Sequence, residues 1–283
     1  MNIKTIHLPD DFIYEQLEQN LVENKQILEK ILAQKVAASN YALTNLSGLG
    51  FESLGLLVLI GEAGSDEAKM WLGVAAYAES YSLELANYSE GSKEIEVFMP
   101  PRAESFFRHS VDPNSTAHTG RWLNAFYLML MLYEPNMLDN ILMNIRDEIL
   151  KASSTKAPTY YYLQVAATKA LYQNPANALE KIIATMEATQ NLPENDREYA
   201  AYIAMHECGM MAKIALQDET GFNDEVELAL NSHIKYYSDG ETRRNAPEAW
   251  MCLPAFGLCA LARKRGMKIT VDSPYLPLAL ITK

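Results

Sequence analysis

The side chains best suited to chemistry in this sequence are its histidines and cysteines, and the tightest grouping is His206-Glu207-Cys208. A metal ion would need these donors to converge, but neighbouring residues on a helix point about 100° apart, so His206 and Cys208 cannot share one ion without distorting the backbone. The second histidine of a His-Glu-x-x-His zinc motif is missing, since the run continues Cys208-Gly209-Met210. No metal site is expected. His109 and His118, with Arg108 and Arg121 beside them, lie in a stretch without clear periodicity, where acid–base work would first be sought. No serine or cysteine nucleophile stands near them in a recognisable motif, and no Gly-x-Ser-x-Gly elbow occurs. His233 shares an apolar helical face with Phe222, Val226, Leu230 and Tyr237 and reads as a hydrogen-bonded core histidine. The glycines at 48, 50, 55, 61 and 64 have no strand before them and no Gly-Lys-Ser/Thr after them, so they read as turn and packing glycines rather than a phosphate loop. Arg263-Lys264-Arg265 sits where the negative end of a helix dipole favours cations, just before Gly266. No catalytic residue and no cofactor is assigned.

The elements that would position such side chains are mostly helical. Ile13, Leu17, Leu21, Leu28, Leu32 and Val36 make one stripe of an amphipathic helix over 12–36, with Asp10 and Asp11 at its positive end. Ser47-Gly48-Leu49-Gly50 predicts a break, followed by a short apolar helix over 52–60. Ser65 is placed to cap a long helix over 66–86. Ile95 and Val97 alternate with Glu94 and Glu96, a strand pattern over 94–99, and 102–119 reads as an irregular connector.

Beyond it the helices come in pairs: 120–133 with a successor running from Pro135 to Leu150, 160–172 with 175–189, and 195–216 with 222–237. The final stretch, 250–280, predicts an apolar helix kinked at Pro254, a stop at Gly266, a strand over 268–271 and an apolar hook at Tyr275-Leu276 between two prolines. An isolated strand leaves its backbone unpaired, so 94–99 and 268–271 are expected to pair as a small ribbon. The expected fold is mostly α, antiparallel helical hairpins in a bundle or short helical-repeat stack. It is read as one domain over 1–283, with an N-terminal helical subregion over about 1–101, the connector, and a hairpin array over about 120–283.

The chain of 283 residues is 49% hydrophobic and carries 36 acidic residues against 24 lysines and arginines, a net charge of −12. That balance disfavours nucleic acid and anionic lipid and suits a basic partner. The most apolar run, Leu54 to Ile60 around Gly55, is too short to span a bilayer, which needs ~20 residues. The three cysteines are odd in number and lie in apolar helical context, and no signal peptide is visible, so the cytoplasm is expected. Acidic residues gather near the joints of the later helices, at Glu194, Asp196, Glu198, Asp218, Glu219, Asp224 and Glu225, and form the candidate partner-binding set.

Phe222-Asn223-Asp224-Glu225, His233, Arg244, the Leu258–Ala262 run, Arg265-Gly266-Met267 and Val271-Asp272-Ser273-Pro274-Tyr275-Leu276-Pro277 together resemble the C-terminal signature of the immunity protein 49 family, with Arg121-Trp122 a looser likeness. The resemblance implies a cytoplasmic antitoxin of a bacterial polymorphic toxin system. Such a protein has no catalysis of its own, binds the toxin domain of a neighbouring effector and occludes its active site. Arg121, Trp122, Gly266, Asp272, Ser273, Tyr275, Leu276 and Pro277 would serve the fold rather than the contact. Two other readings stand beside it: a helical scaffold or adaptor for another protein, and an all-α enzyme using His109 or His118.

Overall fold

The computed structural model describes residues 14–33, 40–100, 105–111 and 117–281. Phe12, Ile13, Val36, Asp10, Asp11 and the turn residues Pro113 to Ser115 lie outside the described residues. The chain falls into two compact units, one of residues 14–156 with 277–281 and one of 157–276. The division therefore comes at Lys156-Ala157 and not in the 102–119 stretch.

The first unit is built on α1 (Tyr14–Ala33), α2 (Asn40–Leu59) and α3 (Asp66–Ala86). Ser65 caps α3 as expected, its Oγ accepting from the Ala68 N–H at 3.1 Å, with Asp66 and Glu67 in the first turn. The expected break at Ser47–Gly50 does not occur, because α2 runs unbroken through both glycines. A Cβ at Gly50 would lie 2.6 Å from the Ala75 nitrogen, so the missing side chain is what lets α2 and α3 touch backbone to backbone. A mid-helix glycine costs ~1 kcal/mol, and the apolar packing this approach permits offsets it. With α2 continuous, Ala42–Leu59 is by length and composition apolar enough to cross a membrane, but Leu43, Leu46, Leu54 and Leu56 are buried within the protein.

β1 (Glu94–Phe98) pairs antiparallel with β2 (Ser105–His109), Glu94 facing His109 and Val97 facing Phe106. The two-stranded ribbon is thus present, but its second strand is local and 268–271 is not a strand. Closing about 170 residues instead of a short hairpin loop would cost about 3 kcal/mol more in chain entropy. The 268–271 segment has other partners, described below.

α4 (Thr119–Leu132) fills the centre of this unit. Trp122 and Phe126 stack at 5.3 Å, and Trp122 Nε1 donates to the Leu142 carbonyl at 2.9 Å. Its successor is not one helix to Leu150 but α5 (Pro135–Asn140), a 3-10 turn and α6 (Asp147–Ala152). The Asn144 amide donates to the carbonyls of Asp139 and Asn140, and Trp122 takes that of Leu142, so side chains draw off carbonyls the helix ladder would use.

The second unit holds α7 (Thr159–Gln173) and α8 (Ala178–Ala188), then α9 (Glu194–Tyr199), a π-helical turn at Ala200–Ala204 and α10 (Met205–Ala215), which together form one arm of a hairpin with α11 (Glu219–Tyr237). α12 (Glu241–Arg244) and α13 (Leu253–Lys264) follow. Pro254 does not kink α13. It lies in the first turn, where its missing N–H has no helical partner to lose. Gly266 stops the helix at φ +84, with its N–H on the Arg263 carbonyl at 2.9 Å.

The strand-like segment after Gly266 is held by side chains. Asn223 donates to the Lys268 carbonyl at 2.9 Å and accepts from the Thr270 N–H at 2.7 Å, and Glu219 accepts from the Lys268 N–H at 2.8 Å. The next turn is stapled by Ser273, whose Oγ accepts from the Tyr275 N–H, and Tyr275 and Leu276 are buried as expected of the hook. Asp272 is exposed.

Candidate functional site

Two of the histidines singled out by type, His118 and His233, hold the fold together. His118 caps α4, its Nδ1 accepting from the Arg121 N–H at 3.2 Å, and burial with the Arg121 charge lowers its pKa to about 4. It is therefore neutral, as an acceptor cap must be. His109 faces Glu94 across the ribbon at 4.0 Å, with the two side chains 70% and 56% exposed. His233 is buried, its ring within hydrogen-bond reach of the Ala249 carbonyl at 3.2 Å, and desolvation lowers its pKa to about 4.

His206 has a partnership the sequence reading missed. Its Nδ1 lies 2.7 Å from Glu225 Oε1 and its Nε2 lies 2.8 Å from Ser232 Oγ. Glu225 and Ser232 are seven residues apart, hence on one face of α11, which was the available signal. Gly209 makes room for the carboxylate, since a Cβ there would lie 2.6 Å from Glu225 Cδ. The order Ser–His–Glu is that of a nucleophile relay. Ser232 sits in mid-helix, however, where the neighbouring N–H groups belong to the α11 ladder and cannot cradle an oxyanion. The trio is a staple between α10 and α11. Cys208 is buried with its thiol pKa pushed up by desolvation. Among the described residues no group of three or more metal-type side chains converges.

In the first unit Arg121 forms a buried ion pair with Glu79, Nε to Oε2 at 3.1 Å, both side chains 10% exposed. The contact is off the line of a hydrogen bond at both atoms, so it acts through charge. Ser47 donates to Glu79 at 2.5 Å and Arg121 to Thr44 at 3.3 Å. Burial raises the Glu79 pKa while Arg121 and Ser47 oppose it. Arg121 and Trp122 thus both serve the interior.

The seven acidic candidates do not form one rim. Because α11 returns antiparallel to α9 and α10, the residues at 194–198 and at 218–225 lie at opposite ends of a hairpin, roughly 30 Å apart at ~1.5 Å rise per residue. The 218–225 group is largely engaged: Asp218 caps α11 at the Gly221 N–H and pairs with Lys213, Glu219 holds Lys268, and Glu225 holds His206. Asp224 is exposed. In the 194–198 group Glu194 is exposed, Asp196 half-buried, and Glu198 pairs with Arg243 at 2.7 Å, which holds its carboxyl below the usual range.

Around this second group stands a ladder of tyrosines from four elements, α7, α9, the π-helical turn and α11. Tyr161 of α7 lies 6.1 Å from Tyr199, Tyr199 lies 5.7 Å from Tyr236, and Tyr202 lies 6.4 Å from Tyr236. All four are half-buried. Arg243 lies over the Tyr236 ring at 4.1 Å and Lys235 over Tyr202 at 5.0 Å. The π-helical turn begins directly after Tyr199 and carries Tyr202, and such turns gather at functional positions. Behind the ladder Glu207 is buried, 3% exposed, and its charge adds to the burial that raises the pKa of Tyr161 and Tyr199. The same turn, with α8, lines a groove of about 450 Å³ bounded by Ile183, Met186, Glu187, Arg197, Ala201 and Met205 among others.

These observations define a mostly helical protein in which His118, His206 and His233 cap and staple the fold, and in which a grouping of tyrosines reaches the surface at one hairpin end. The chain belongs to the immunity protein 49 family, whose family model matches residues 62–280. Comparison with curated proteins and with solved structures gave no match.

Proposed function

We propose that this protein neutralises a cognate toxin by binding it directly and covering its active site. The observation that carries the reading is the family match, which spans both units. A net charge of −12 suits a basic toxin and speeds its capture by electrostatic steering. Three buried, unpaired cysteines suit a reducing compartment, and we place the protein in the cytoplasm. The test is co-expression with the toxin domain encoded beside this gene. Rescue of growth and co-purification as a stoichiometric complex are expected, and a toxin that kills equally with and without this protein refutes the proposal.

A further inference from the structure

The tyrosine ladder has a composition that the fold alone does not demand. Tyrosine and arginine are the residue types in which interfaces concentrate their binding energy, and methionine adapts to a partner's shape. All three meet at this end of the hairpin: Tyr161, Tyr199, Tyr202 and Tyr236 in a half-buried ladder, Arg243 stacked at its edge, Met186 and Met205 in the adjoining groove. Ile183, in the same groove, is 53% exposed although isoleucine is among the residues most often buried.

The chemistry of the occupant follows from charge. The rings already accept cations within the chain, from Arg243 and Lys235. The carboxylates of Glu187, Glu194 and Asp196 belong to the elements that frame the ladder and groove, and the protein as a whole is strongly acidic. An acidic partner would meet repulsion here, and a purely apolar one would leave these carboxylates unpaired at the rim. A face bearing lysine and arginine satisfies both the rings and the carboxylates.

We infer that the end of the hairpin formed by Tyr161, Tyr199, Tyr202, Tyr236 and the Ile183–Met205 groove is the docking surface for a protein partner that presents an arginine- and lysine-bearing face. Under the immunity reading, on which this rests, that partner is the toxin. The far end of the hairpin, around Asp218 and Asp224, takes no part.

The test uses the full-length protein and the toxin domain encoded beside its gene, with Kd measured at low and high salt. Tyr202→Ala and Glu194→Lys should each weaken binding about tenfold or more with unchanged circular dichroism, and Glu194→Lys with an unchanged thermal midpoint as well, while Asp224→Lys binds as the wild type. Wild-type affinity should fall with added salt. If the wild type binds and the two near-end variants bind equally well, or only Asp224→Lys is impaired, the surface is misassigned. Salt-insensitive binding overturns the cationic face. Self-association abolished by Tyr202→Ala gives the surface to a second copy and overturns the toxin assignment. A wild type that fails to bind the toxin refutes the immunity reading itself, a result distinct from all of these.

Discussion

Lowering the pH should unfold this protein through its buried histidines, and His233 is where the effect can be worked through. Its ring is enclosed, within reach of the Ala249 carbonyl, with Tyr237 at 4.6 Å and Tyr275 at 5.8 Å. Desolvation holds its pKa at about 4 against 6.5 in the unfolded chain. The folded pKa of this base lies below the unfolded one, so as the pH falls the unfolded chain takes up the proton first. The stability His233 contributes is therefore complete above about pH 6.5 and is lost progressively toward pH 4. Between pH 7 and pH 5 the loss is about 2 kcal/mol from this one group. His118, its pKa also lowered to about 4, adds a loss of the same sign, so the difference between wild type and variant isolates His233. Urea denaturation of the wild type and of His233→Gln, followed at both pH values, reads that difference. The variant starts less stable, since glutamine does not fill the ring's space, but it should lose about 2 kcal/mol less on acidification. Equal losses in the two proteins would refute the reasoning.

Three other perturbations have outcomes fixed by geometry. Gly50→Ala places a Cβ 2.6 Å from the Ala75 nitrogen, and this overpacking should cost about 1–3 kcal/mol in urea denaturation, although alanine is the better helix former. Glu79→Gln leaves Arg121 buried without its counter-charge and should cost about 3–5 kcal/mol, whereas the double change Glu79→Gln with Arg121→Met should recover much of that loss. Asn223→Ala removes both bonds to the 268–270 backbone, and hydrogen exchange at the Thr270 amide should accelerate by a factor of at least about ten while the α13 amides stay protected.

What the sequence made legible was whatever its own local chemistry decides. Ser65 with Asp66 and Glu67 announced α3, the alternation at Glu94–Val97 announced β1, and Gly266 after three cations announced the end of α13. The misses share a different cause. Gly50 reads as a breaker until α3 is known to lie against it, and Pro254 reads as a kink until the helix is seen to begin there. Ser105–His109 shows no alternation in Ser-Phe-Phe-Arg-His, so β2 is defined only by its partner. The candidate site was half visible. The acidic residues could be named from their types, but the tyrosines come from α7, α9, the π-helical turn and α11, and only the packing of these elements brings them together. Asn223 reaches segments 45 and 47 residues away, which no local pattern encodes.

The π-helical turn at Ala200–Ala204 also bears on how such a surface arises. A single inserted residue is enough to make one, and it advances everything downstream by about 100° around the helix axis. Tyr199 and Tyr202 both meet Tyr236 with that extra advance in place. Removing Ala201 alone would restore a regular α-helix of nearly the same composition while swinging one tyrosine away from the other's azimuth. A one-codon deletion would thus retarget the aromatic face without touching a single aromatic residue.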